Sequence, residues 1–201
     1  MPEIRPYRPS DRDAVADICV RTADNGGDSR SLSPDLDLMP SIFALPYVVL
    51  EPELAFVLTD DDDPVGYILG TADTPTFAKR FRTEWLPHLA DRYPAPIRPP
   101  ENSTELMISL MHDPERLVIP EVAAYPAHLH IDLLPQYQRS GHGRALMTTL
   151  MTALASAGVP AIHLTMLTTN TPARAFYDRL GFHHIPVPAV EVVTYLGRST
   201  G

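Results

Sequence analysis

The feature that most restricts the fold of this chain is a change of periodicity around residue 140. Leu129, Ile131 and Leu133 alternate with His130, Asp132 and Leu134 until Pro135 breaks the run, which is a strand signature. From Gly141 to about residue 157 the apolar residues recur at helical spacing instead. Leu146, Leu150, Met151 and Leu154 form one stripe there, and Gly158 and Pro160 stop the helix. A second strand is expected at Ala161–Leu167, then a helix capped by Thr171 with Pro172 at its first position and Gly181 beyond its end. Strands at 182–185 and 190–196 close the chain. Strand, helix, strand, helix, strand in succession calls for a mixed α/β architecture.

The N-terminal half reads less sharply. Residues 3–8 suit a strand, and Ser10 with Asp13 suits a capping box opening a helix that carries Val15, Ile18 and Cys19. Asp24-Asn25-Gly26-Gly27 should end it. A second helix is expected within 35–45, cut by Pro46. Strands at 54–59 and 65–72 flank Asp60-Asp61-Asp62-Asp63-Pro64, which is hairpin turn chemistry rather than a metal site. Helices are expected over 76–92, with Trp85 and Leu89 on one side, and over 104–112. Pro94, Pro96, Pro99 and Pro100 fix φ and remove donors, so this stretch should be an extended loop. The pieces on either side look incomplete alone. The proline-rich region around 87–126 is therefore read as an insertion in one domain covering 1–201.

At 201 residues the chain suits one core. No run approaches the roughly 20 apolar residues of a membrane helix. The start, Met1-Pro2-Glu3-Ile4-Arg5, lacks signal-peptide chemistry, so a cytoplasmic location is expected. A net charge of −9 argues against a nucleic-acid partner and suits an amine-bearing one. The single cysteine, Cys19, rules out an internal disulfide and any cysteine metal cluster, and no metal-ligating set is evident.

The turn Gln138-Arg139-Ser140-Gly141-His142-Gly143 carries the first functional signal. Its glycines let the backbone approach a ligand, and successive amides at the start of a helix favour a phosphate group. A dinucleotide fingerprint would need a glycine where Leu146 stands, so a nucleotide-dependent oxidoreductase does not fit. A Walker loop would need Gly-Lys-Ser/Thr, which is missing. The pattern that remains is Gln/Arg-x-x-Gly-x-Gly/Ala, matched in full.

Residues Ile131 to Leu146 resemble motif A of the GNAT acetyltransferases. About 30 residues later, Asn170-Thr171-Pro172-Ala173-Arg174-Ala175-Phe176-Tyr177-Asp178-Arg179-Leu180-Gly181-Phe182 resembles their motif B. Segments across most of the chain (Ile4-Arg5-Pro6-Tyr7, Asp24-Asn25-Gly26, Gly66 to Asp73, Trp85-Leu86-Pro87 and Leu196 to Ser199) are similar to the acetyltransferase-like C-terminal domain of animal O-GlcNAcase. The chain looks like a free-standing bacterial-type relative of that domain. The animal domain is regarded as a pseudo-acetyltransferase with a decayed cofactor loop, whereas the loop glycines are intact here.

The resemblance implies a GNAT fold, with a central mixed, mostly antiparallel twisted sheet, helices on both faces, and strands 4 and 5 splayed around the pantetheine arm of acetyl-CoA. It implies an acetyl-CoA-dependent N-acetyltransferase acting on an amine, a small molecule or a protein lysine, by direct transfer. A non-catalytic CoA-binding or protein-interaction module is the alternative. Backbone groups of Leu133 and Leu134 are expected on the pantetheine and the carbonyl, and amides of Gly141, His142, Gly143 and Arg144 on the phosphates. Gln138, Arg139 and Ser140 stand beside them, and Asn170 bridges cofactor and strand. Tyr177 occupies the place of an acid for the departing thiolate, since a phenol keeps its proton at neutral pH. The base is open between Asp132, the histidines His128 and His130 that share its face, and a water chain. Asp24, Asn25 and Asp73 would line the acceptor side. Oligomeric state is not legible.

Overall fold

The computed structural model describes residues 1–24, 26–30, 35–188 and 191–201. One seven-stranded sheet organises them, in the order β1-β2-β3-β4-β5-β7-β6, from β1 (Glu3–Pro6), β2 (Ala55–Asp60), β3 (Asp63–Thr71), β4 (Ala127–Leu133), β5 (Ala161–Leu167), β6 (His183–Ile185) and β7 (Val193–Ser199). Every neighbouring pair is antiparallel except β4 and β5. The β2–β3 turn places Asp61 and Asp62 at φ 51° and 68°, left-handed backbone that aspartate tolerates and a tight hairpin uses. No helix among the described residues is long and apolar enough to cross a membrane.

Among the described residues seven α-helices surround the sheet: α1 (Arg12–Thr22), α2 (Leu38–Phe43), α3 (Leu45–Leu50), α4 (Thr74–Arg80), α5 (Ser103–Met111), α6 (His142–Ser156) and α7 (Thr171–Asp178). Helix α6 lies across β2, β3 and β4 on one face and buries Leu146, Met147, Leu150, Met151 and Leu154. Leu150 fits over Gly70, where an added Cβ would stand 3.0 Å from its Cδ1. Truncating that leucine would leave a cavity costing roughly 2–5 kcal/mol. Helices α1 and α3 pack against the opposite face, so β3 is covered on both sides and Tyr67, Ile68 and Leu69 are all fully buried.

Several local expectations change. The entry to α1 is organised by Asp11, not by Ser10 and Asp13. The Asp11 carboxylate accepts the amide of Arg8 at 2.7 Å and both ends of the Arg5 guanidinium at 2.7 and 2.9 Å. That buried ion pair links β1 to the helix, and it holds the Asp11 carboxyl below its usual pKa. Pro46 does not end a helix. It sits in the first turn of α3, where its missing N–H costs nothing. The segment 76–92 is one regular helix only to Arg80 and then tightens and widens into irregular turns through Phe81–Trp85 and Leu86–His88. The last strand is shifted to Val193–Ser199, and residues 189–190 lie outside the described part. Within the proline-rich region, α5 packs against α2.

Candidate active site

Strand β4 has two different edges. Toward β3 it forms six residue pairs, from Gly66↔Leu133 to Thr71↔His128. Toward β5 it forms only two, Ala127↔Ile162 and His128↔His163, before the strands part. The amide of Leu134 donates to the carbonyl of Val65 at 3.0 Å. Because paired and unpaired residues alternate along an antiparallel ladder, Leu134, Asp132 and His130 turn their backbone groups toward β3, and Ile131 and Leu133 turn theirs into the opening. Leu134 is thereby removed from the opening, its amide bonded and its side chain buried. Ile131, which the sequence did not single out, takes its place.

The opening is a cavity of about 840 Å³ bordered by β4, β5, α7 and the start of α6. At its mouth the chain folds into an anion cradle. Gly141 adopts φ 89° and the non-glycine Arg139 φ 60°, conformations that turn successive N–H groups outward. The last bonded amide before the helix is that of Gln138, on the carbonyl of Pro135, and the next is that of Ala145, on Gly141. Among the described residues the six amides from Arg139 to Arg144 therefore have no partner, and they crown the positive end of α6. Gly143 serves close packing: an added Cβ would lie 3.2 Å from the Phe176 ring and 3.5 Å from Leu133.

Side chains in the loop have other tasks. Gln138 Nε2 donates to the carbonyl of Leu133 at 2.9 Å and ties the loop to the strand end. Ser140 Oγ donates back to the Gln138 carbonyl. The His142 ring lies beside Tyr137. Arg139 and Arg144 line the mouth together with Arg179, and none of the three is ion-paired among the described residues. In a chain of net charge −9, three unpaired cations at one mouth point to an anionic ligand. Arg179 is absent from the sequence expectations; its neighbour Asp178 pairs with Arg174, at 2.8 Å, which leaves the Arg179 guanidinium without an ion pair among the described residues.

Asn170, rather than Thr171, caps α7 through Oδ1, which accepts the amide of Ala173 at 3.1 Å. It also borders the cavity. Tyr177, about two turns further along α7, lines the cavity with a buried ring that packs edge-on against Phe176 and Phe182. Its hydroxyl has no hydrogen bond among the described residues. Burial, aided by the negative charge of Asp132, pushes its pKa up, so the phenol keeps its proton.

Asp132 lies half-buried on the opposite face of β4, facing α1. Its Oδ2 accepts the Tyr67 hydroxyl at 2.6 Å. Burial pushes its pKa up to about 6, held back by hydrogen bonds from Tyr67 and Thr22. His130 borders the cavity beside it, whereas His128 is deeper, bonded to Tyr47 and Thr74. Cys19 is buried beside Tyr67, its thiol pushed up by burial and by Asp132. Ala23, Gly26, Met39 and Phe43 complete this wall. Asp73 is not part of it; it caps α4, accepting the amide of Thr76 at 2.8 Å. Asp24 bridges to Gly27, and Asn25 lies outside the described residues.

A model of the acetyltransferase (GNAT) family matches residues 107–182, which span β4, the anion cradle and α7. A crystal structure of a protein called SsHAT is 61% identical, superposes with a TM-score of 0.96 and is covered to 98% by this chain, itself covered in full. The chain belongs to the GNAT acetyltransferase family. Mouse protein O-GlcNAcase is 29% identical over 185 residues, 90% of this chain, and this GNAT chain spans only 20% of that enzyme's length. The fold is also that of the PaiA N-acetyltransferase from Thermoplasma acidophilum, solved in complex with coenzyme A, which is 12% identical with a TM-score of 0.61, covering 99% of each chain.

Proposed function

We infer that this GNAT protein transfers the acetyl group of acetyl-CoA to an amine. The observation that carries the reading is the run of six unpartnered amides, Arg139 to Arg144, leading directly into the unpaired edge of β4 and on to Asp132 and Tyr177. The residues present fit this ligand. The cradle and Arg139, Arg144 and Arg179 would take its phosphates, and the free backbone groups of Ile131 and the free amide of Leu133 would pair with its amide-bearing arm as a missing β-strand would. When bound, acetyl-CoA supplies an activated acyl carbon on a thiol leaving group.

The chain's own groups then divide the proton work. Asp132, ionised above pH 6, accepts a proton from the attacking amine. The backbone N–H of Leu133 or Ile131 steadies the negative charge that develops on the carbonyl oxygen. Tyr177 holds a proton on its phenolic oxygen for the departing sulfur. The proton gained at Asp132 equals in number the one lost by Tyr177, and each group regains its starting state by proton exchange with solvent as the products leave. No side chain needs to become acylated, and the one cysteine is buried and held as a thiol.

The test is calorimetry with acetyl-CoA, followed by thiol release over a panel of amines and lysine peptides. Tight binding with turnover on an amine is expected. Absence of binding at physiological cofactor concentration sinks the proposal, and binding without turnover on any acceptor would reduce it to a CoA-binding module.

A further inference from the structure

The residues behind His130 form a hydrogen-bond chain whose direction follows from its far end. The carbonyl of Pro126 can only accept, and it takes the Thr74 hydroxyl at 2.8 Å. Thr74 has a single hydroxyl proton, so its oxygen meets His128 Nδ1, also at 2.8 Å, as an acceptor. His128 therefore carries its proton on Nδ1. Burial, with His163, His130 and Arg116 nearby, keeps this ring neutral, so its Nε2 is bare and accepts the Tyr47 hydroxyl at 2.7 Å. Tyr47, its one proton committed, accepts from His130 Nε2 at 3.1 Å. Burial and the charge of Arg116 also hold His130 neutral, its pKa pushed down to about 4. The lone pair is left on His130 Nδ1.

That nitrogen has no hydrogen bond among the described residues, yet it is not sealed off. The only buried, unpartnered side-chain nitrogen or oxygen among them is Arg5 Nε. His130 borders the cavity, with its ring wedged between Phe43 and Tyr47 at centroid distances of 5.8 and 5.0 Å. The chain behind it does not export protons. A proton entering at Nδ1 would push each successor one step inward and leave the last on the Pro126 carbonyl, which is far too weak a base to hold it. What the chain does is fix a tautomer.

We propose that His130 receives an N–H of the acceptor amine on a permanently bare Nδ1, and that Tyr47, His128 and Thr74 are positioning residues that keep it bare. This rests on the transfer reading above and narrows its substrate. Asp132 and His130 stand two residues apart on one strand face, roughly 6.6 Å along the chain. That leaves room for one nitrogen at hydrogen-bond distance from both. A primary amine gives one N–H to each and keeps its lone pair for the acyl carbon. A secondary amine or an alcohol leaves one of the two acceptors unpaired in a partly buried site.

Two measurements test this. Nitrogen NMR of the histidine-labelled protein at pH 7 should show His130 protonated on Nε2 and His128 on Nδ1, with Thr74→Val populating both tautomers at His130. A His130 protonated on Nδ1 overturns the proposal. His130→Phe keeps the ring and removes the acceptor; it should raise the KM for a primary amine about tenfold. It should also erase the preference over the N-methyl analogue while leaving acetyl-CoA affinity unchanged, and a wild-type acceptor KM overturns the proposal. If no amine is acetylated, the transfer reading itself fails and a separate readout decides: the His130 Nδ1 resonance of the CoA-loaded protein on titration with n-butylamine or Nα-acetyl-lysine amide. A shift upholds the contact, and an unmoved resonance overturns it.

Discussion

The two sides of β4 are built from different materials. On the side that opens toward β5, the cavity-facing groups are main chain: the free edge of Ile131, the amide of Leu133 and the six free amides ahead of α6. On the side that faces α1, they are side chains, Asp132 and His130, each held by a buried tyrosine. A main-chain site tolerates many side chains and fails when something occupies its space. A side-chain site depends on chemical identity and tolerates little exchange even at constant volume.

Gly143→Asp attacks the main-chain side most directly. It puts a Cβ 3.2 Å from the Phe176 ring and a carboxylate among amides that await an anion, so acetyl-CoA affinity should fall by at least about a hundredfold in calorimetry. Retention of affinity would mean that the cradle is not the phosphate site. Asp132→Asn makes the opposite attack. Affinity for acetyl-CoA should hold while kcat falls by about 10²-fold or more. In the wild type, kcat/KM should decline as pH drops through about 6, where Asp132 takes up its proton. A rate flat from pH 8 to 5 would remove it as the base.

Tyr177→Phe, which joins the two sides, should lower kcat about tenfold to a hundredfold and spare binding. An unchanged pH-independent rate would show that the leaving thiolate needs no acid from the protein. A smaller and contrary effect is expected on stability. A carboxyl whose folded pKa lies above its unfolded value destabilises the fold at neutral pH and ceases to do so as pH falls below about 4. Asp132→Asn should therefore stabilise the protein at pH 7 by about 1–2 kcal/mol in denaturant titration, the partial exposure of the group reducing the full effect. Asp11, depressed by Arg5, has the reverse sign: its contribution is present at neutral pH and lost as pH falls through its folded value.

Local chemistry explains which expectations were legible. The β2–β3 hairpin, α6, β5 and the cradle are written in turn residues and periodicity spanning a few neighbours, and the structure places all of them close to where the sequence did. Where two local signals competed, the sequence misled. Ser10 and Asp11 both suit a helix entry, and the distant Arg5 decides for Asp11. Thr171 and Asn170 both suit a cap, and the geometry of Ala173 decides for Asn170. Arg179 carried no signal at all, since its freedom depends on Arg174 having taken Asp178.

By itself the sequence determined that a strand runs through a glycine turn into a helix, and that His128, His130 and Asp132 share one face. Only the tertiary structure decided which partners those residues meet. Alternation assigns faces but not edges, so it took the pairing of Leu134 with Val65 to direct Ile131 and Leu133 into the opening. Spacing along a strand carries no information about proton positions, so it took Tyr47, Thr74 and the Pro126 carbonyl, brought together from three separate segments, to fix which nitrogen of His130 is bare. Periodicity is a property of neighbours in the chain, whereas hydrogen-bond direction and burial belong to neighbours in space.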